Sequence, residues 1–473
     1  MNWDDFESWG KRLSTWGADY HRTKSDRPVR AQVEPGEMLA QLPESPPEDG
    51  QDMTAIMEDF ERIVMPGLTH WQHPRFFAYF NSNAAPASVL AEYLASIIAP
   101  QCMLWQTSPA ATEMETRMMD WLRQSLDLPS EFQGVIQDTA SSATLAAVLT
   151  MREKALDWTG NSHGLSGQKR LRIYCSPEVH TSIDRAIWIA GIGQENLVRI
   201  PIAGDWRGMD PDALRAAIAA DRAAGHLPAG LILSVGATGT GATDPIEACM
   251  DVAEAEGLYT HVDAAWAGSA MICPEFRHYW TGTHRANSIV FNPHKWLGVQ
   301  FDCSAHFLRD PSTLVKTLAI QPEYLKTHGK DGIINYSEWS IALGRRFRAL
   351  KIWFVLRTYG LEGLRTRLRD HIAWSRDLHD RLAAHPDFEI VTPPMWSLFT
   401  FRYAPHGGVP AGTGDALNQR LVDAINDDGR IYLTQTRVDG ALVIRFQAGQ
   451  FETTEEDVRM AYDVITEIAG ALL

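Results

Sequence analysis

Five cysteines in 473 residues (Cys102, Cys175, Cys249, Cys273 and Cys303) are few and odd in number, and no two of them make a CxxC pair. That spacing leaves no disulfide framework and no cysteine-based zinc site, and it points to a reducing compartment. Positive charge is also short, since 43 Lys+Arg against 59 Asp+Glu give a formal net charge of −16. A nucleic acid or an anionic membrane calls for a basic field, so neither is expected as a partner. The local exception, Arg345, Arg346, Arg348 and Lys351, reads as a solvated or structural helix face. No window holds the roughly 18 apolar residues that a membrane span needs. The opening MNWDDFESWGKR is acidic and has no apolar centre, unlike a signal peptide. Cytoplasm is the expected location.

What is present is the material of a large core: 45% of residues are hydrophobic and 22% charged. At about 100–200 residues per domain, the length predicts two or three domains. Trp3, Phe6, Trp9, Leu13, Trp16 and Tyr20 recur at steps of three and four, which predicts a helix over 3–20 with an aromatic face. Such a face either packs on its own subunit or forms an arm covered by a second one, because so much Trp near a terminus is costly to expose. The arm is the favoured reading. PESPPEDGQD (43–52) reads as a surface linker.

From about 86 to 310, helical stretches alternate with short β-rich runs: LRIYC (171–175), LILSV (231–235), LYTHV (258–262), SIVF (288–291) and SAHFL (304–308). This alternation predicts βαβ units and a mostly parallel sheet covered by helices. Beyond 340, the helical pattern SIALGRRFRALKIWFVLRTYG leads to the runs FEIV, SLFTFRY and ALVIRF. A last helix follows, opened by Thr453 and Glu456 at capping-box spacing. The expected organisation is an α/β chain with an N-terminal helical arm over 1–85, a large domain over 86–355 and a small C-terminal α+β domain over 356–473.

In such sheets the ligand sits beyond the carboxyl ends of the strands. Asp263, Ala264 and Ala265 follow THV; Asn292, Pro293, His294 and Lys295 follow SIVF; SPEVH, ending in His180, follows LRIYC. GATGTG, with Thr238, follows LILSV, and Thr139, Ala140, Ser141 and Ser142 precede a helix. Taken singly, Asp263 could cap a helix, Lys295 could be solvated and His180 could be a core histidine. Together they supply an acid, an amine, an imidazole, a hydroxyl and an anion cup. That set meets the needs of pyridoxal phosphate. Its aldehyde takes a lysine amine, its pyridine nitrogen takes a carboxylate, and its ring takes flat or methyl-sized groups on its two faces. Its phosphate takes amides at a helix N-terminus, which TASS followed by ATLAAVL offers. GATGTG is neither GxGxxG nor a P-loop, which disfavours a nucleotide fold.

NPHKWLGVQFDCSA, HVDAAWAGSAMICPEFRH, FFAYF, SPAATEMETRMMDWL, GVIQDTASSATL and LGRRFRALKIWFV together resemble the group II pyridoxal-phosphate decarboxylases, and among these the aromatic-L-amino-acid decarboxylases. The resemblance implies a fold type I enzyme and an obligate homodimer with active sites at the subunit interface. It makes Lys295 the Schiff-base lysine and Asp263 the partner of the pyridine nitrogen. His180 would stack on the ring, with the Ala265 methyl on the opposite face. Ala140, Ser141 and Asn292 would hold the phosphate, and Thr238 and His294 would lie beside cofactor and substrate. Tyr324, in PEYLKTHGKDG, matches the tyrosine of the family's mobile catalytic loop. Gly329 and Gly332 suit a segment that opens and closes. Trp71, Tyr79 and Phe80 fit the aromatic wall around a substrate ring, with Gln101 and Met103 as further substrate-side positions. No metal is expected.

The chain departs from its family at that wall. The animal enzymes have Pro-Thr where Asn81-Ser82 stands here, and Gln101 and Met103 replace apolar and aromatic positions. Either the rim has drifted or it makes additional hydrogen bonds to a ring substituent. The expected reaction is decarboxylation of an aromatic L-amino acid (tryptophan, 5-hydroxytryptophan, DOPA, tyrosine or phenylalanine) to the amine. Similar enzymes with Phe for the loop tyrosine, or Asn for the stacking histidine, make aldehydes with oxygen, and Tyr324 and His180 argue against that. A non-aromatic substrate such as glutamate, aspartate or diaminobutyrate is a further alternative, with Arg75 as the nearby cation to watch. Retention of Lys295, Asp263 and His180 argues against a non-enzymatic homologue.

Overall fold

The computed structural model describes residues 1–320, 333–406, 408 and 412–472. The chain forms two compact units, one of residues 1–81, 373–391 and 400–473, the other of residues 82–372 and 392–399.

The second unit is built on seven strands: β1 (Gln133–Gln137), β2 (Leu171–Cys175), β3 (Leu197–Arg199), β6 (Leu227–Ser234), β7 (Tyr259–Asp263), β8 (Ser288–Phe291) and β9 (Ser304–Leu308). Between β3 and β6, a separate small ribbon pairs β4 (Ile202–Ala203) with β5 (Gly208–Met209). The sheet order is β1-β9-β8-β7-β6-β2-β3. β2, β3, β6, β7 and β8 run parallel, and β9 pairs antiparallel with both β8 and β1. The expected α/β class with a mostly parallel central sheet therefore holds. β7, β8 and β9 are buried at every position, as strands covered on both faces must be. Full burial of side chains such as Ile289 and Phe291 contributes roughly 1.5–3 kcal/mol each. The helix Ala140–Ala155 packs on β6, β7, β8 and β9, and the helix Ile246–Glu256 on β6 and β7.

The first unit carries the smaller sheet, which extends into residues of the second. It comprises β10 (Phe388–Met395), β11 (Leu398–Tyr403), β12 (Thr434–Val438) and β13 (Ala441–Gln447), in the order β10-β11-β13-β12. The first unit also contains the N-terminal helix, Trp3–Thr23. The inner half of its aromatic face packs on its own chain: Trp16 meets Phe60 at 5.6 Å and stacks on Tyr20 at 5.7 Å. The outer half stays open, with Trp3 74% and Leu13 41% exposed. Residues 43–52 are irregular and exposed throughout, as a surface linker should be. Among the described residues no helix is long and apolar enough to cross a membrane.

Two sequence expectations need correction, and a third that left two readings open is decided. The helix expected from residue 340 begins only at Ala349 and is broken at Gly360, whose φ of 64° is left-handed. Residue 345 cannot be helical because its backbone is used elsewhere. Its N–H donates to Gln101 Oε1 at 2.7 Å, and its carbonyl accepts from the Cys102 amide at 3.0 Å. The last helix is capped one residue later than expected, by Thr454 and Asp457, because the Thr453 hydroxyl donates to the Pro74 carbonyl at 2.6 Å. The basic cluster, read as solvated or structural, is structural. Arg345 pairs with buried Glu115 at 2.5 Å and Arg348 with Asp302 at 2.8 Å, while Arg346 and Lys351 share Glu92. Arg345, Arg348 and Lys351 are thereby neutralised inside the fold, and the exposed Arg346 is paired with Glu92.

Side chains also tie three strands together across the sheet. His261 Nδ1 of β7 lies 2.8 Å from the Ser288 hydroxyl of β8, which lies 2.7 Å from His306 Nε2 of β9. Both imidazoles are fully buried, and burial pushes His261 well below its ordinary value and His306 down to about 3. An imidazole with a folded pKa below its unfolded value of about 6.5 stabilises the fold above that value. The contribution is lost as pH falls, because only the unfolded chain takes up the proton. Between about pH 7.5 and pH 5, His306 should therefore remove roughly 2 kcal/mol of stability. In denaturant titrations at those two pH values, His306→Gln should lose less stability than the parent by about that amount. Equal losses would mean that native His306 is already able to accept the proton.

Candidate active site

Parallel strands put their carboxyl ends on one edge of the sheet, and the predicted residues of the second unit gather there. Asp263 ends β7 and is 7% exposed. One of its oxygens accepts the Ala265 amide at 3.0 Å, which folds the following turn back on the strand. The Ala265 carbonyl in turn accepts from the Asn292 amide at 2.8 Å, just past β8. Ala265 packs with Val290 of β8 and with Ala140 and Ala143 from the first turn of the helix Ala140–Ala155. Thr139 caps that helix by accepting the Ser142 N–H, so the first-turn amides at Ala140 and Ser141 open onto the same edge. Ala140 is buried and Ser141 exposed.

Lys295 sits in the turn after β8, and that turn is braced from several sides. Its amide donates to the Asn292 carbonyl at 2.9 Å, and its carbonyl accepts from Asn83 Nδ2 at 2.6 Å. Asn83 also donates its own amide to the His294 carbonyl at 3.0 Å. His294 is 3% exposed, and its Nδ1 accepts the Cys303 amide at 2.9 Å. Burial and the neighbouring Lys295 push its pKa down to about 3, so it is neutral with its proton on Nε2. Asn292 Oδ1 accepts from the Ser304 hydroxyl at 2.5 Å. Farther along the loop, Lys351 donates to the Asp302 carbonyl at 2.9 Å and Arg348 grips the Asp302 carboxylate. The amine is thus carried on a rigid support.

His180 follows β2 and is open to solvent on one side. Its Nδ1 accepts the Ser182 amide at 3.1 Å and lies 2.9 Å from the Ser182 hydroxyl, so the neutral ring carries its proton on Nε2. Desolvation holds it below the ordinary imidazole value; the Asp263 carboxylate opposes that, and Lys295 and Arg185 reinforce it. His180 therefore lies within the fields of both the acid and the amine. Two residues before it, Glu178 accepts from the Thr240 hydroxyl at 2.9 Å and pairs with Arg207 at 2.9 Å. That contact joins the His180 segment to the turn after β6 that contains half-buried Thr238.

Trp71, Tyr79 and Phe80 belong to the first unit. Trp71 stacks on Phe76 at 4.6 Å and on Tyr79 at 5.8 Å, and Tyr79 meets Tyr432 edge-on at 6.1 Å. Trp71 and Tyr79 are 39% and 46% exposed, while Phe80 is buried. Gln101 and Met103 belong to the second unit and are tied to residues 337–345: Gln101 accepts from the Arg345 amide, and the Met103 carbonyl accepts from the Ser337 amide at 3.0 Å. Arg75 is fully committed within the first unit. It donates to the carbonyls of Arg430 at 2.9 Å and Ser25 at 2.8 Å and faces Asp457 at 3.7 Å. Tyr324 lies outside the described residues. Sequence reasoning missed Asn83 and Tyr432. Asn83 stands three residues before a helix opened by Pro86, which reads as ordinary loop, and Tyr432 has no motif around it.

A carboxylate, a supported amine, an imidazole and a helix N-terminus on one sheet edge are the groups that bind pyridoxal phosphate, so the donor set fits that cofactor. Residues 35–404 match the family described as the pyridoxal-dependent decarboxylase conserved domain. The chain is 37% identical to phenylacetaldehyde synthase of Arabidopsis thaliana, with 100% of this chain and 97% of the relative covered. It is also 37% identical to tryptophan decarboxylase 2 of Oryza sativa subsp. japonica, covering 100% and 96%. Among solved structures, Oryza sativa TDC with PLP and tryptamine superposes with a TM-score of 0.96 at 36% identity, covering 100% of this chain and 99% of that one.

Proposed function

The chain belongs to the pyridoxal-dependent decarboxylase family and is a PLP-dependent carboxy-lyase, and from that premise we propose that it decarboxylates an aromatic L-amino acid to the amine and carbon dioxide. The observation that carries the aromatic reading is the exposed stack of Trp71 and Tyr79, joined with the commitment of Arg75 to internal carbonyls and Asp457. A ring has a flat apolar surface to lie on. An acidic side chain such as that of glutamate finds no available guanidinium at Arg75.

Pyridoxal phosphate, when bound, supplies the electron sink that allows the bond from the α-carbon to the carboxylate to break. The chain's own groups do the rest. Lys295 would hold the cofactor through its amine. Asp263 keeps the proton on the pyridine nitrogen. Ala140 and Ser141 amides with Asn292 hold the phosphate, His180 and Ala265 flank the ring, and Thr238 and His294 line its surroundings. Trp71, Tyr79 and Phe80 orient the substrate ring, with Gln101 and Met103 as further substrate contacts. Tyr324 delivers a proton to the α-carbon once carbon dioxide has left, with His180 as the source behind it. The working form is a cytoplasmic homodimer with shared active sites. Two surfaces support that form: the open outer half of the helix Trp3–Thr23, and the helix Pro86–Ile98, where Leu90 is 58% and Ile98 64% exposed. A sedimentation mass equal to a single 52.8 kDa chain would contradict it.

Two variants test the assignment. Lys295→Ala should retain some cofactor while losing turnover and the visible band of the lysine-bound form; steady-state decarboxylation by this variant would remove Lys295 from its role. Tyr324→Phe keeps the ring and removes the hydroxyl, so amine formation should fall by roughly 10²–10⁴-fold, the usual contribution of a general acid. Dioxygen should then reach the unprotonated carbon, giving aldehyde, ammonia and hydrogen peroxide. Amine made at the parent rate without peroxide would transfer the proton donation to another group.

A further inference from the structure

A cation lies behind the aromatic wall. Arg445, in β13, is 3% exposed. Main-chain hydrogen bonds hold the preceding part of the wall segment: the Tyr432 amide donates to Arg75 at 3.2 Å, and the Phe77 amide to Tyr432 at 3.0 Å. The Gln447 amide donates to the Phe77 carbonyl at 3.2 Å. The chain then turns outward at Tyr79, which has a left-handed φ of 48°. That conformation is strained for a side-chain-bearing residue and persists only where its surroundings over-determine it. Here the Tyr79 carbonyl accepts from Arg445 Nη1 at 2.6 Å, and the same guanidinium lies 4.7 Å from the centroid of the Phe80 ring.

We infer that Arg445 is a positioning residue for recognition of the substrate ring. Its charge-assisted bond to the Tyr79 carbonyl and its seat on Phe80 fix the turn that presents Tyr79 and, stacked on it, Trp71. A planar fork makes both contacts at once, whereas a lysine ammonium is a point charge that can make only one of them well. The inference rests on the aromatic-substrate reading above, and it concerns substrate binding rather than the chemical step, because the hydrogen bond and the ring contact it is argued from are both to the wall, at Tyr79 and Phe80.

The test compares Arg445→Met and Arg445→Lys holoenzymes with the parent by two measurements. The first is hydrogen exchange of the backbone amides at residues 78–82, which needs no substrate. Exchange there should rise in Arg445→Met and return part of the way in Arg445→Lys. The second is steady-state kinetics with an aromatic amino acid that the parent decarboxylates. KM should rise roughly ten- to a hundredfold in Arg445→Met, the range of a lost hydrogen bond to a charged group, with kcat within about threefold, and Arg445→Lys should recover part of the loss. The cofactor's visible band should be unchanged in both, which marks the sheet edge as intact. Unchanged exchange at 78–82, or a fall in kcat at constant KM, would overturn the inference. Raised exchange in a protein whose parent form turns over no aromatic amino acid would leave the positioning of the turn standing and overturn its role in recognition.

Discussion

The site depends on one constraint: parallel strands must all end at the same edge of the sheet. β2, β6, β7 and β8 therefore deliver His180, Thr238, Asp263 and Lys295 to a common place, although up to 115 positions separate them in the chain. The helix Ala140–Ala155 packs across these strands and contributes its N-terminal turn to that edge. Buried strands alone would leave the edge loops free to wander. The turn carrying Lys295 is held by Asn83 and His294, and beyond it Asp302 is clamped by Arg348 and Lys351. Burial of those cations is costly unless each is paired, and here each has a carboxylate. Arg348 and Lys351 thus support the loop that follows Lys295 from inside the fold.

Much of this was legible in the sequence, and for a physical reason. LRIYC, SIVF and SAHFL coincide with β2, β8 and β9 because fully buried strands are short apolar runs that polar turns must bracket. The residues after them could be picked out because chemistry-bearing groups stand out against those runs. What escaped was fixed by distant partners. β1 is a five-residue strand written QGVIQ, whose polar ends hide its pairing with β9. The 340–348 stretch has a helical pattern, yet its Arg345 is claimed by Glu115 and Gln101, 230 and 244 positions away. Thr453 and Thr454 are equivalent as caps until Pro74 takes one hydroxyl. The aromatic wall was half visible: FFAYF announced Tyr79 and Phe80, whereas Tyr432 and Arg445 come from the far end of the chain and carry no local signal.

Two outcomes are available to a chain with this sheet edge, and they separate after carbon dioxide has left. A proton at the α-carbon gives an amine, while dioxygen at the same carbon gives an aldehyde. The relatives include both kinds of enzyme at the same 37% identity, so overall similarity does not choose between them. The choice lies in a few groups that govern proton delivery and access of oxygen. His180 has its Nδ1 occupied by Ser182 and its proton on Nε2, and the sequence retains the Tyr324 hydroxyl; these are the two groups to which the proposed reaction assigns proton delivery.

The most direct measurement gives the purified holoenzyme tryptophan, 5-hydroxytryptophan, DOPA, tyrosine, phenylalanine and glutamate one at a time, and follows carbon dioxide, amine and hydrogen peroxide together. One or more of the aromatic substrates should release carbon dioxide and amine in equal amounts, with peroxide at background and glutamate not consumed, as expected of an aromatic-amino-acid decarboxylase. Peroxide and aldehyde matching the carbon dioxide released, or turnover of glutamate in preference to every aromatic substrate, would contradict that assignment.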